Sequence, residues 1–362
     1  MDTSTHLSPT IPMGVLPGGM TAAPRMPSGR EVVGSGTMLG NYVLGRCLGE
    51  GGMGTVYAAC HRFLNRPAAV KVLHDDLIDT NARARVIQEG WVIDQIDHPN
   101  VVKIYDCGVL EDGRPYLAME LLRGRSLAQL LAEGEVGWRD AIEILRQTCA
   151  GLAAAHACGV VHRDLKPANV FVSHRDGALE VKLVDWGIAR VQATPWISAR
   201  LTHSGWVVGT PQYMAPEQAC GMEVDGRADI YALGVLAYQM FLGAVPVTGR
   251  SPVELAANHV HAAPVAPRFY WPEIPRVLER LILRMLAKRR EDRPTLDDIA
   301  AGLDRVAAVL TEREQRTLAP ERRRKAVALL VVAGLFFGAS ALVGWRHAAG
   351  AAERAAAAFQ SG

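Results

Sequence analysis

Val161-His162-Arg163-Asp164-Leu165-Lys166-Pro167-Ala168-Asn169 places an acid, a lysine and an asparagine within six positions. Pro167 makes this stretch a loop, because it removes a backbone donor and disfavours the α region at Lys166. A tight loop with these side chains suits phosphoryl transfer. Asp164 can accept a hydroxyl proton, Lys166 can neutralise phosphate charge, and Asn169 can offer a carbonyl oxygen to a divalent cation. The plain alternative is a polar turn. The order and spacing of the flanking segments decide between the two.

Upstream, Tyr42 begins a β-type pattern that leads into Gly49-Glu50-Gly51-Gly52-Met53-Gly54-Thr55-Val56-Tyr57. Glycines at 49, 51 and 54 make a GxGxxG. A dinucleotide site would require a helix directly afterwards, whereas Thr55 to Ala59 reads as another strand. The next apolar run, Ala68-Ala69-Val70-Lys71-Val72-Leu73, contains a single lysine, and burying its ammonium is costly unless it is paired. A helix is expected from about Asn81 to Ile96. Tyr116 to Leu122 reads as a strand running into a connector. Ser126 to Ala132 and Trp138 to Ala157 have helical apolar spacing. His156 near the end of the second helix reads as a packed histidine rather than a ligand.

The nine-residue loop resembles the catalytic loop of protein kinases, His-Arg-Asp through Asn. The surrounding segments extend that resemblance from Tyr42 to about Leu310. It implies an α+β, bilobal fold: a small β-rich lobe and a larger helical lobe. The glycine hairpin then covers phosphates, with Gly49, Glu50, Gly51, Gly54, Val56 and Ala69 at the ATP site. Lys71 holds the α- and β-phosphates and is oriented by Glu89, nine positions before His98-Pro99-Asn100. Asp94 competes with Glu89 for that role but sits close to the helix end. Met119 guards the rear of the pocket, while Glu120 and Leu122 lie on the adenine-binding hinge. Asp164 and Lys166 are the catalytic pair.

Downstream, a hairpin near Asp176-Gly177 leads to Asp185-Trp186-Gly187, where the family has Asp-Phe-Gly. The resemblance makes Asp185 and Asn169 ligands of Mg²⁺, with Mn²⁺ as a substitute. Trp186 departs from the usual Phe. The segment up to Ala215-Pro216-Glu217 carries Thr202 and Ser204, the expected activation phosphosites, with Arg163 as the phosphate's partner. Thr210 is expected to seat the substrate hydroxyl residue. Glu217 is expected to pair with Arg293, and Asp229 to brace the catalytic loop. Thr295-x-x-Asp298 reads as a capping box.

The glycine loop, Lys71, Glu89, Asp164, Asn169, Asp185, Glu217, Asp229 and Arg293 occur in the family's order. Lys166, two residues after the catalytic acid, is similar to the serine/threonine class. The Leu-Gly-Glu-Gly-Gly-Met-Gly loop resembles bacterial Hanks-type kinases. Implied are ATP as phosphoryl donor, protein substrates bearing serine or threonine, and autophosphorylation in signalling. A membrane-tethered pseudokinase scaffold would show loss of Lys71, Asp164 or Asp185, and all three are present. A small-molecule kinase of related fold is disfavoured by the segment at 209–217, which in the family docks polypeptide.

Composition is ordinary for a globular protein, with 49% hydrophobic and 21% charged residues among 362. A net charge of +2 gives no case for nucleic acid as a bulk partner. Six scattered cysteines without a CxxC pair fit a reducing compartment. Residues 1–36, rich in Pro, Gly, Ser and Thr, read as a disordered arm without a signal peptide. The kinase domain is expected over 42–310 and a basic juxtamembrane linker over 311–325. Ala326 to Trp345 is uncharged. Roughly 20 residues at ~1.5 Å rise cross ~30 Å of hydrocarbon. Arg322 to Lys325 precede it, so the kinase domain is expected on the cytoplasmic side of the cell membrane. Residues 346–362 then form a short extracytoplasmic tail. Gly334-x-x-x-Gly338 offers a surface for helix packing and a homodimer.

Overall fold

From Tyr42 onward, alternating apolar residues dictate an antiparallel sheet. The computed structural model describes residues 34–51, 54–74, 87, 90–186 and 211–317. The first sheet comprises β1 (Met38–Leu39), β2 (Tyr42–Gly51), β3 (Gly54–His61), β4 (Pro67–Leu73), β5 (Ile104–Val109) and β6 (Pro115–Glu120). Its order is β1-β2-β3-β4-β6-β5, antiparallel throughout. Side chains alternate across the sheet. Tyr42, Tyr57, Val70, Val72 and Tyr116 share one face in a buried apolar cluster. Lys71 and Ala69 therefore fall on the other face. There Lys71 stands opposite Val56 and Leu117, and Ala69 stands opposite Met119.

A second sheet has three strands, β7 (Arg125–Ser126), β8 (Val170–Arg175) and β9 (Ala178–Leu183), and the 161–169 stretch leads directly into its central strand β8. The β8–β9 turn is Asp176-Gly177 with φ of 53° and 81°, the positive values a two-residue hairpin turn requires.

The helices are α1 (Leu127–Glu133), α2 (Trp138–Ala157), α3 (Pro216–Ala219), α4 (Arg227–Leu242), α5 (Pro252–His261), α6 (Pro267–Tyr270) and α7 (Arg276–Met285). α1 begins one residue later than its apolar spacing suggests, because Ser126 caps it. The Ser126 hydroxyl accepts from Gln129 N, and Gln129 Oε1 accepts from Ser126 N. α4 is apolar on nearly every face and almost wholly buried, as the central helix of a lobe must be. α2 and α7 pack against it. The expected bilobal arrangement, a β-rich lobe followed by a helical lobe, is thus present.

Thr295 and Asp298 form the reciprocal cap, each backbone N–H donating to the other's side chain at 3.1 Å. Residues 296–306 are helical. Residues 307–317, which belong to a second unit, are helical as well. A charged linker was expected from 311. Helix-forming residues and the Glu312–Arg316 pair at i,i+4, 2.6 Å, instead support helix there without an apolar stripe. Among the described residues no helix is long and apolar enough to cross a membrane. The 326–345 stretch lies outside them, as does most of the 1–36 arm.

Candidate active site

Lys71 comes from the middle of the central strand β4 and is buried. A buried ammonium needs an anion, and Nζ lies 2.7 Å from Asp185 Oδ1. Asp185 follows β9 with φ of 55°, a left-handed conformation uncommon for a non-glycine residue. Its side chain stays 40% exposed and open to a ligand. Glu89, the expected partner of Lys71, lies outside the described residues.

The 161–169 stretch is held from beneath by Asp229. Its carboxylate, only 1% exposed, accepts from His162 N and Arg163 N at 2.8 Å each, and His156 Nε2 lies 2.8 Å from Oδ2. Two N–H donors that the turn would otherwise strand are thereby satisfied. Arg163 takes a left-handed φ of 61°, and Gln218 Nε2 donates to its carbonyl at 2.8 Å. Lys166 is extended, as its position before Pro167 demands. Lys166 Nζ donates to Asp164 Oδ2 at 2.8 Å. Asn169 Nδ2 donates to the Asp164 carbonyl at 2.8 Å and lies 3.4 Å from Oδ2. The structure therefore brings Asp164, Lys166 and Asn169 together around one carboxylate.

His162 and Trp186 wall the site from behind. Their rings lie 4.7 Å apart, and Trp186 is 2% exposed. Burial holds the His162 pKa below its ordinary value, against the opposing charges of Asp229 and Asp164. Trp186 Nε1 is buried with no acceptor among the described residues. The indole thus fills the slot at the cost of an orphaned donor, which the family's Phe would not have.

Glycine at 54 is demanded by close packing, since a Cβ there would stand 2.4 Å from the Val72 carbonyl. Gly49, Glu50 and Gly51 lie on the hairpin arm above it, with Gly51 paired to Gly54. On the hinge, the Glu120 carboxylate accepts from Lys103 N at 2.8 Å and from Lys182 Nζ at 2.7 Å. Met119 is buried opposite Ala69, and Leu122 follows half-buried.

Glu217 and Arg293 meet in a fully buried bidentate pair, 2.6 and 2.8 Å. Arg293 also donates to the carbonyls of Ala287, Arg227 and Lys288. Thr202, Ser204 and Thr210 lie outside the described residues. His156 is the packed helical histidine the sequence suggested, but its Asp229 partner was not foreseen. Gln218 was read only as part of the Pro-Glu-Gln run, without its bond to Arg163, and Lys182 was given no role. Asp94 is the last helical residue of 90–94, at the helix end as expected.

The residues suit a divalent cation carried by a nucleotide. Asn169 spends its Nδ2 on Asp164, leaving Oδ1 as a ligand. Val184 N donates to the Asn169 carbonyl at 3.0 Å, which sets Asp185 beside it. Among the described residues no cluster of three or more His, Cys, Asp or Glu could hold a metal by itself. Mg²⁺ takes one or two protein oxygens and completes its shell with phosphates and water, so the pair is sufficient.

Residues 42–302 match the protein kinase domain family. The chain is 38% identical to serine/threonine-protein kinase pkn3 of Myxococcus xanthus over 311 residues, 84% of this chain and 56% of that protein. It is 43% identical to Pkn1 of the same organism over 264 residues, 71% and 37% of the two chains. With PknB of Mycobacterium tuberculosis the figures are 38% over 291 residues, 76% and 46%. The chain spans between 37% and 56% of the length of these relatives. Among solved structures, the Mycobacterium tuberculosis PknI kinase domain aligns with a TM-score of 0.62 at 28% identity. The alignment covers 76% of this chain and all of that one.

Proposed function

The chain belongs to the protein kinase domain family, and from that premise we propose that it transfers the γ-phosphoryl group of ATP to serine and threonine hydroxyls of proteins. One observation carries this reading. Lys166 and Asn169 converge on Asp164 within hydrogen-bond distance, while Lys71 and Asp185 face each other at 2.7 Å. No member of the catalytic set visible in the structure has been replaced.

Asp164 orients the acceptor hydroxyl and takes its proton. Lys166, beside it, offsets charge on the transferring group. Lys71 fixes the α- and β-phosphates, and the Val56–Ala69–Met119 face receives the adenine against the hinge backbone. When bound to Asn169 and Asp185, Mg²⁺ neutralises phosphate charge. Positioning and electrostatics supply the catalysis.

The reading includes autophosphorylation at Thr202 and Ser204. Arg163 supports it: its Nε is buried without an acceptor among the described residues, a donor suited to a phosphate. Residues 326–345 anchor the chain in the membrane with the kinase domain cytoplasmic, and Gly334 and Gly338 pair two copies. Protein substrates and a second copy are therefore the partners.

The test is phosphosite mass spectrometry on the chain incubated with ATP and Mg²⁺, beside an Asp164→Asn control. Phosphate at Thr202 or Ser204 in the wild type alone supports an active, self-phosphorylating kinase. No phosphate on the chain or on a basic serine peptide would return the scaffold reading.

A further inference from the structure

Four arginines line a groove of about 440 Å³ along α7, with Glu279 and Asp292 as its two acids. Arg268 is committed to Glu279, with Nε 2.9 Å from both carboxylate oxygens. The other three, Arg276, Arg280 and Arg284, are exposed and make no hydrogen bond or ion pair with the described residues. Their i, i+4, i+8 spacing stacks three like charges on one helical face, an arrangement that works against the helix itself. Arg284 is favourable in the last turn of α7 and near Asp298, but Arg276 and Arg280 have no such role, since α7 is held by Leu278, Leu281, Ile282 and Met285 on the opposite side.

Successive arginines are about 6 Å apart along the helix axis. An extended chain advances about 6.6 Å over two residues, so acids at alternate positions would meet successive guanidinium groups. Each fork can take a carboxylate through two parallel hydrogen bonds, which an ammonium cannot. Exposed Leu283 lies in the same groove and offers apolar contact.

We propose that this groove docks an extended acidic segment of a protein partner, with carboxylates at alternate positions. Resting on the kinase reading for this last step, the partner is a substrate, held at α7 while its hydroxyl reaches Asp164. The groove touches none of the residues assigned to catalysis.

The experiment uses the whole 362-residue chain and a fluorescein-labelled peptide of alternating Glu and Ala, read by anisotropy without ATP. Its Gln–Ala counterpart is the control. The Glu peptide should bind and the control should not. A triple variant, Arg276→Gln with Arg280→Gln and Arg284→Gln, should weaken binding by about tenfold or more. The same variant should leave phosphorylation of a short serine peptide unchanged, and should raise KM when that peptide carries the acidic tail. Equal binding by variant and wild type, equal binding of the Gln control, or no binding at about 1 mM would each overturn the proposal. So would loss of binding to phosphatidylserine vesicles with peptide binding intact, which would assign the face to a lipid surface. Because docking is read without ATP, a chain that binds the peptide but transfers no phosphate refutes the kinase reading and leaves the groove standing. A chain active on the short peptide but blind to the acidic one does the reverse.

Discussion

Lys71 Nζ and Asp185 Oδ1 lie 2.7 Å apart, joining the central strand of the β lobe to the end of β9 in the helical lobe. The pair is asymmetric. The lysine side chain is 10% exposed and the aspartate 40%. Lys71→Met removes a buried ammonium and leaves a half-solvated carboxylate, so the fold loses little and can gain. Phosphoryl transfer, in contrast, loses its hold on the phosphates and should fall by about 10²–10³-fold. Thermal unfolding beside a radiometric transfer assay checks this. A large drop in Tm would make Lys71 a structural residue and refute the assignment.

Trp186 balances two terms of similar size. Trp186→Phe removes a buried N–H without an acceptor, a relief of about 1–3 kcal/mol, and opens a gap of ring volume against His162 that costs a comparable amount. Net stability should therefore move by less than ~1.5 kcal/mol in urea unfolding, with transfer activity retained. Trp186→Ala gains the same relief but leaves a cavity the size of the whole indole, and should cost about 3–5 kcal/mol. Loss of activity in the Phe variant would show that the indole has a role beyond filling the slot.

Glu217 and Arg293 are both within 6% of full burial. Glu217→Ala leaves a guanidinium with its carboxylate gone, at a cost of about 3–5 kcal/mol. The double change Glu217→Leu with Arg293→Met removes both charges and should recover much of that loss. Urea unfolding of the single and double variants measures it. Additive costs would mean the two residues act independently despite the 2.6 Å contact.

The parts legible in the sequence were local ones. Asp176-Gly177 set the hairpin, and Thr295 with Asp298 the last helix cap. Pro167 kept Lys166 extended, but residues 167–169 close into a 3-10 turn, because proline at the first position of a helical turn loses no hydrogen bond. α2 ran from Trp138 to Ala157 as its spacing required. The order of the motifs supplied the two lobes. Hidden were contacts that depend on how distant elements pack. His156 and Asp229 are 73 residues apart, and Glu120 and Lys182 are 62 apart. The pairing of Lys71 with Asp185 spans 114 residues and depends on the two lobes meeting. Charge density alone also misled at 311–317, where good helix formers needed no apolar face.

His259 gives the fold an acid limit. It is fully buried, with Nδ1 2.9 Å from the Tyr231 hydroxyl. Burial, with the nearby Lys288 charge, pushes its pKa down from 6.5 to about 4. The folded chain therefore refuses a proton that the unfolded chain accepts below about pH 6.5. The histidine's contribution is fully present above that pH and is lost as pH falls from 6.5 toward 4, by roughly 3 kcal/mol at most. Carboxylates titrate in the same window, so the measurement is a difference: unfolding free energy against pH for the wild type and for His259→Gln. The variant's curve should be flatter between pH 6.5 and about 4, whatever constant offset the lost ring brings. Parallel curves would mean that His259 protonates in the folded state as readily as in the unfolded one.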